Sequence, residues 1–270
     1  MNNRIILNES QVISLYQKGE TLIELAKIFK LKSYGAIKRI LKDNKITLRP
    51  KGALRIKTGL PLDADYFKSV NSPDKAYWLG YLTADGYVYP NGYKVTLCSK
   101  DREAVEKFKS AIQSGHAIGE SRVLDKRTKK TYTRYSIQVT SKAFSSHLIA
   151  LGLKGVKSFR CEPPNLSPEM FSHYVRGLFD GDGSICFLKD NSRRISLIAT
   201  RPILTAIQTH LVKSLGFSKV KLSVVATQDE NDICKLQIYR KQDQDNFLNY
   251  IYNDSEEASR LSRKYNAAFK

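Results

Sequence analysis

Hydrophobic positions recur at helical spacing near the start of the chain and alternate with polar positions in much of the remainder. In residues 11–18, 21–30 and 34–44 the apolar side chains lie three or four positions apart, which predicts three short helices. After residue 85, runs in which apolar and polar residues alternate predict half-buried antiparallel strands. The pattern therefore predicts a small helical unit followed by a larger α+β body.

The helical unit resembles a resolvase- or homeodomain-like helix-turn-helix over residues 1–50. The resemblance implies that its last helix enters the major groove of DNA, with Tyr34, Lys38 and Lys42 on the exposed face. The alternative is a helical hairpin with a solvated basic face. Residues 51–65 contain further basic residues together with Gly and Pro. This composition predicts an extended linker.

The charge indicates a polyanionic partner. Lys and Arg number 45 against 26 Asp and Glu, which leaves +19 and a pI near 9.7; basic side chains release condensed counterions from a phosphate backbone. A lysine-rich genome would give a similar composition. The four cysteines form no C-x-x-C pair, and no apolar run is long enough for a membrane span. We expect an intracellular protein, in the cytoplasm or nucleoid of a bacterium or phage-infected cell, or in an organelle.

An internal repeat marks the larger body. Residues 77–88 (YWLGYLTADGYV) and 174–185 (YVRGLFDGDGSI) each read as an apolar helix, then Asp-Gly, then the start of a strand. Within each copy small residues lie four apart on one helical face: Gly80 and Ala84, then Gly177 and Gly181. These faces predict two helices that pack closely, with Gly80 and Gly177 at their interface.

The repeat also places an acid at the end of each helix. Asp85 and Asp182 would lie where the helix macrodipole is negative, and pairing of the helices would bring two like charges together. A divalent cation makes that arrangement favourable, and oxygen ligands without His or Cys suit Mg²⁺. Two carboxylates that hold Mg²⁺ against a phosphate predict metal-assisted phosphodiester hydrolysis.

The nine-residue segments 78–86 (WLGYLTADG) and 175–183 (VRGLFDGDG) resemble the two copies of the LAGLIDADG motif of homing endonucleases. Residues 151–162 resemble the segment before the second motif, and residues 250–269 resemble the closing helix. The resemblance covers about 200 residues from about residue 66. It implies two αββαββα halves, 66–160 and 161–270, whose antiparallel sheets form a saddle on the major groove of DNA.

The resemblance also assigns residues to the site. The eighth motif positions, Asp85 and Asp182, match the metal-binding catalytic acids, and the preceding Ala84 and Gly181 complete the predicted metal-binding positions. Mg²⁺ is the expected cofactor, with Mn²⁺ as a substitute. The sixth position departs from symmetry, with Thr83 in the first copy and Asp180 in the second.

Two lysines near the predicted strand ends are further candidates. Lys142 and Lys241 lie 57 and 59 residues after their own aspartates, and position within the family implies that each orients or activates solvent. A solvated or phosphate-contacting lysine is the alternative in both cases.

The polar positions of the predicted strands are the candidates for contact with DNA. In the first half these are Tyr87, Tyr89, Lys94, Thr96, Arg122, Arg134, Ser136 and Gln138. In the second half they are Ser184, Arg194, Ser196, Lys221, Lys235 and Gln237.

Together these features predict a monomeric, site-specific double-strand DNA endonuclease that binds a long double-stranded DNA site. The alternative on the same fold is an RNA maturase, with intron RNA as its partner, or a transcription regulator that binds DNA. The presence of both acids favours the enzyme.

Overall fold

The computed structural model describes residues 7–48, 60–125, 128–153, 162–190, 192–228 and 231–270. The chain divides into two compact units, Met1–Leu60 and Pro61–Lys270. Most of the predicted linker 51–65, and most of the segment 151–162 before the second motif, lie outside the described residues. In the part of the chain that is described, no helix is both long and apolar enough to cross a membrane.

The first unit consists of three short helices around a small apolar core. They are α1 (Glu9–Gln17), α2 (Leu22–Ile28) and α3 (Gly35–Asp43). Thr21 and Glu24 form a capping box at the start of α2, each side chain bonding the backbone N–H of the other residue. The side chains of Val12, Leu25 and Ile37 meet in the core with no exposed surface. The predicted helices are confirmed, and the third begins one residue late because Tyr34 is its N-cap.

The second unit contains a helix–strand–strand–helix–strand–strand–helix repeat. The first copy comprises α4 (Pro73–Asp85), β1 (Gly86–Val88), β2 (Lys94–Ser99), α5 (Arg102–Ala111), β3 (Ile118–Leu124), β4 (Thr131–Thr140) and α6 (Lys142–Ala150). The second copy comprises α7 (Pro168–Asp182), β5 (Gly183–Phe187), β6 (Arg193–Thr200), α8 (Arg201–Lys213), β7 (Val220–Gln228), β8 (Asn231–Ile238) and α9 (Lys241–Tyr252). A 3₁₀ turn (Glu257–Ser259) and α10 (Ser262–Ala268) follow. The predicted closing helix over 250–269 is therefore wrong as one element, because the chain turns between Tyr252 and Ser262.

Each copy contributes one four-stranded antiparallel sheet. The strand orders are β1-β2-β4-β3 and β5-β6-β8-β7. One face of each sheet is buried under helices, with side chains at most 1% exposed. On that face lie Val88, Val95, Leu97, Ile137 and Val139 in the first sheet, and Ile195, Leu197, Leu236 and Ile238 in the second. The predicted fold class is confirmed.

Candidate active site and nucleic-acid interface

Helices α4 and α7 pack against each other through their glycine faces. A Cβ atom at Gly80 would lie 2.0 Å from the carbonyl oxygen of Tyr174, and one at Gly177 would lie 1.9 Å from the carbonyl oxygen of Tyr77. Both distances are far shorter than any van der Waals contact, so neither position can hold a side chain at this separation. The two contacts are related by the internal repeat, and they fix the helices at backbone-to-backbone distance.

The close approach continues to the ends of both helices. A Cβ at Gly181 would lie 2.3 Å from the Cβ of Ala84 and 3.9 Å from the carboxylate carbon of Asp85. Helix α4 ends at Asp85 and α7 ends at Asp182. The structure thus brings the two motif acids to one place, at the negative ends of two adjacent helices. Asp182 is exposed and Asp85 is half-buried, so both are accessible from outside.

The chemistry of these groups is compatible with Mg²⁺. Among the described residues no cluster of three or more His, Cys, Asp or Glu side chains is suited to hold a metal. Two carboxylates fit an ion that keeps several of its waters, as Mg²⁺ does.

A buried lysine from α10 lies beside the acids, and sequence reasoning missed it. Lys264 is only 5% exposed, and its ammonium donates to the carbonyl oxygens of Phe179 (2.5 Å) and Gly183 (2.6 Å). These acceptors lie at the C-terminal end of α7, where the Phe179 carbonyl also accepts from the backbone N–H of Gly183. Burial lowers the pKa of Lys264 to about 8, whereas the carboxylates of Asp180, Asp182 and Asp85 favour its charged form. Lys264 therefore places a positive charge behind the acid pair.

Asp180, the sixth residue of the second motif, is buried beneath the acid pair. Its carboxylate accepts hydrogen bonds from the hydroxyls of Tyr77 (3.0 Å) and Tyr252 (2.5 Å) and from the backbone N–H of Leu261 (2.7 Å). Burial raises its pKa, and the hydrogen bonds and Lys264 oppose that shift. Asp180 thus ties α7 to α4, to α9 and to the segment before α10.

Arg176, one helical turn before Asp180, is also buried. Its guanidinium donates to Ser259, to the carbonyl of Ile251 at 3.0 Å, and to Nδ1 of His173 at 2.7 Å. Burial, together with the nearby Arg176, lowers the pKa of His173 to about 4. A neutral His173 is the state that accepts from an arginine, so the network is self-consistent.

The uncovered face of the first sheet carries most of the polar residues predicted for it. The register aligns Tyr87, Thr96 and Gln138 across β1, β2 and β4, and residues opposite each other share a face. Lys94, Arg134 and Ser136 lie on the same face by alternation. Tyr89 follows β1, and its ring lies 4.8 Å from that of Tyr87 and 5.8 Å from the Lys94 ammonium.

Arg122 does not belong to that face. The register pairs it with Thr133, which shares the side of β4 that carries Ile137. Ser121 and Val123 occupy the predicted face of β3 instead. The prediction for Arg122 placed it on the wrong side of the strand.

The uncovered face of the second sheet carries all six of its predicted residues. Ser184, Ser196, Gln237 and Lys221 align across the four strands, and Lys235 and Arg194 lie two positions along their strands on the same side. We call these uncovered faces the first and second reading faces. Cys186, Ile198 and Ser223 also lie on the second reading face, although the sequence analysis did not select them.

Lys142 and Lys241 are not close to the acids. Gly86, next to Asp85, is level with Leu97 and hence with Ile137 on β4. Lys142 lies five residues beyond Ile137, which at about 3.4 Å per residue is roughly 17 Å along the strand direction. Lys241 lies five residues beyond Leu236, which is level with Gly183 in the second sheet. Both lysines are exposed at the first position of a helix, and the structure places them at the opposite end of the strands from the acids.

In the first unit, Tyr34, Lys38 and Lys42 are exposed and lie four residues apart along α3. The buried residues of α3 are Ile37 and Leu41; Lys38 and Lys42 each follow one of them and flank the buried face, and Tyr34 is exposed at the N-cap.

Comparison with known proteins identifies both units. Residues 72–148 match the family model of the LAGLIDADG-like domain, and residues 3–55 match that of a helix-turn-helix domain. The family match covers the first motif copy, and the second copy follows from the structural repeat. No protein with a curated description matches the sequence.

Solved structures also align with most of this chain. The homing endonuclease I-WcaI, bound to its DNA recognition sequence, aligns with 84% of this chain and 97% of its own at a TM-score of 0.51 and 12% identity. Full-length DUF199/WhiA from Thermatoga maritima aligns over 77% of this chain and 64% of its own, at a TM-score of 0.44 and 13% identity. I-DmoI in complex with DNA and Ca aligns over 76% of this chain and 97% of its own, at a TM-score of 0.43 and 16% identity. The likeness to I-WcaI shows that the two chains share a fold.

Proposed function

We propose that this protein is a site-specific double-strand DNA endonuclease that acts as a monomer and requires Mg²⁺. The observation that carries the proposal is the meeting of Asp85 and Asp182, one from each of two helices in backbone contact. Because each acid is followed directly by the first strand of a sheet, one carboxylate pair serves two reading faces. Both halves of the site come from one chain, so no second copy is needed to complete it.

In this proposal Asp85 and Asp182 hold the metal, with Ala84 and Gly181 providing the close helix approach beside it. A bound Mg²⁺ would supply Lewis acidity and an activated water for attack on the scissile phosphate. The chain's own groups orient the substrate, since the reading faces and exposed lysines fix the duplex against the acids. Lys264 reduces the repulsion between the carboxylates through its position at the end of α7.

The reading faces select the site in this proposal. The first presents Tyr87, Lys94, Arg134 and Gln138, and the second presents Ser184, Arg194, Lys221 and Gln237, whereas Ser196 and the hydroxyl of Thr96 are buried. These side chains offer different donors and acceptors in the two halves, which favours an asymmetric target. The helix-turn-helix, covalently tethered to the larger unit, would add affinity through Tyr34, Lys38 and Lys42.

The decisive experiment is selection of cleaved sites from a randomised duplex library with Mg²⁺, using wild type, Asp85→Asn and Asp182→Asn. We expect wild type to cut one long site on both strands, and each variant to bind that site in Ca²⁺ without cutting both strands. Glu169→Gln, which changes an exposed acid at the other end of α7, is the matched control and should cut as wild type does. Selective binding by wild type without any cut would contradict the nuclease and point to a DNA-binding regulator.

The part played by the first unit has a separate test. Removal of residues 1–57 should shorten the selected site at one end if α3 reads bases. An equal loss of affinity for all duplexes would show that the unit contacts only the phosphate backbone.

A further inference from the structure

Part of the second reading face is apolar. The register places Thr200, Ile233 and Ala226 opposite one another across β6, β8 and β7. Ile198 lies on the same face two residues before Thr200, and it is 40% exposed. We call Ile198, Ala226 and Ile233 the apolar patch. Adjacent, partly exposed apolar side chains beside polar and basic residues are typical of a surface that contacts a ligand.

The first reading face differs at the corresponding positions. Leu97 and Leu197 occupy the same place in the two sheets, opposite Gly86 and Gly183 respectively. Counted from them, Cys98 corresponds to Ile198 and Arg134 corresponds to Ile233. An exposed guanidinium in one half is thus replaced by an aliphatic side chain in the other. The two sheets therefore have the same strand pairing at these positions but carry different side chains on their uncovered faces.

The charges around the apolar patch argue for DNA as its occupant rather than another protein. Lys235 lies directly opposite Ile198, and Lys221 and Arg194 lie on the same face. These basic side chains would contact phosphates, which brings the apolar patch beside them to the base edges of the groove. In the major groove, thymine is the base that presents a methyl group.

We propose that the apolar patch recognises the C5 methyl groups of thymines in the half-site that the second sheet contacts. This inference rests on the proposed DNA-binding function. Ile198 and Ile233 are the specificity-determining residues, because they bury the methyl groups without a hydrogen bond. The first half-site lacks this recognition, since Arg134 and Cys98 stand at the corresponding positions.

The test uses the full-length protein and the best-bound duplex selected from a randomised library in Ca²⁺. Each thymine is replaced singly by deoxyuridine, which removes only the methyl group, and the dissociation constant is measured. We expect about a fourfold loss of affinity at one or two positions in one half-site, the factor that corresponds to about 0.8 kcal/mol for one buried carbon. In Ile198→Ser at least one of these positions should lose its preference for thymine.

The control is Val212→Ser, which changes an aliphatic residue 44% exposed on α8; it should keep the wild-type pattern. The inference is overturned if no single deoxyuridine weakens binding, or if Ile198→Ser and Ile233→Ser keep the wild-type pattern. Either result leaves sequence-selective binding intact. Failure to select any preferred duplex would instead contradict the proposed function itself.

Discussion

The hydroxyl of Tyr77 on α4 donates a hydrogen bond of 3.0 Å to the carboxylate of Asp180 on α7. The bond joins the two halves in the interior, where Asp180 is 1% exposed. At the matching position of the first motif stands Thr83, whose hydroxyl donates to the carbonyl of Leu79 within its own helix. The paired helices are therefore symmetric in their glycines and asymmetric in their buried polar contacts.

Replacement of Asp180 should be strongly destabilising. Asp180→Ala leaves two tyrosine hydroxyls and a backbone N–H without their acceptor, and it removes one of the three carboxylates that favour the charged form of Lys264. We expect the free energy of unfolding to fall by about 3 to 5 kcal/mol in urea denaturation. Thr83→Ala is the control and should cost under about 1 kcal/mol. Equal losses in the two variants would contradict the assigned role of Asp180.

A methyl group at the helix crossing should separate the two acids. Gly177→Ala places a Cβ against the carbonyl of Tyr77, which is backbone and has little freedom to move. We expect a loss of stability of about 3 kcal/mol or more, and cleavage that falls further than DNA affinity does. Gly35→Ala, at an open helical position in the first unit, should leave cleavage and stability of the larger unit unchanged. Wild-type melting of Gly177→Ala would show that the helices can part without cost.

Lys264→Met should change metal binding and stability in opposite directions. Without metal, the uncompensated carboxylates and carbonyls should lower the free energy of unfolding by about 2 to 3 kcal/mol. Removal of the Lys264 charge also removes its repulsion of the cation, so the acid pair should bind Mg²⁺ about tenfold more tightly. Titration of the melting temperature with Mg²⁺ measures both effects. Lys213→Met, an exposed lysine on α8, should change neither; weaker Mg²⁺ binding in Lys264→Met would contradict its electrostatic role.

The exposed face of α3 should contribute to the salt dependence of DNA binding. If Lys38 and Lys42 contact phosphates, each change to Ala reduces the slope of log K against log salt by about one. Lys18→Ala, at the end of α1, is the matched control for loss of one positive charge. A slope that is equal in all three variants would mean that α3 does not lie on the backbone.

Local pattern was sufficient for most of the framework. Alternation in β2 and β4, and over most of β6 and β8, determines which side chains are buried, because a shift by one residue would move the buried apolar set to the uncovered face. In β3 the run from Gly119 to Arg122 has no apolar side chain to set the register, and Arg122 was assigned to the wrong face. The pairing of β3 with β4 determines which side of the sheet each β3 side chain faces, and the sequence of β3 alone does not predict that pairing.

The acids could be located from the sequence, whereas the groups that support them could not. Asp85 and Asp182 stand in a repeated motif that contains glycines at fixed spacing. Lys264 is one of many lysines, and only the packing of α10 against the end of α7 distinguishes it. Distance along the chain was a poor guide for Lys142 and Lys241, because antiparallel strands carry residues away from the acids as well as back toward them.

The buried asymmetry at Asp180 has a consequence for encounters between copies of the chain. Because the glycine faces of α4 and α7 are alike, each helix could in principle pair with the same helix of another molecule. A pair of α4 helices would leave both Tyr77 hydroxyls without their acceptor, because Thr83 stands in α4 at the position that Asp180 holds in α7. Helix α4 is thus better paired with α7 than with a second α4, and the single-chain arrangement resists exchange of halves between neighbouring molecules.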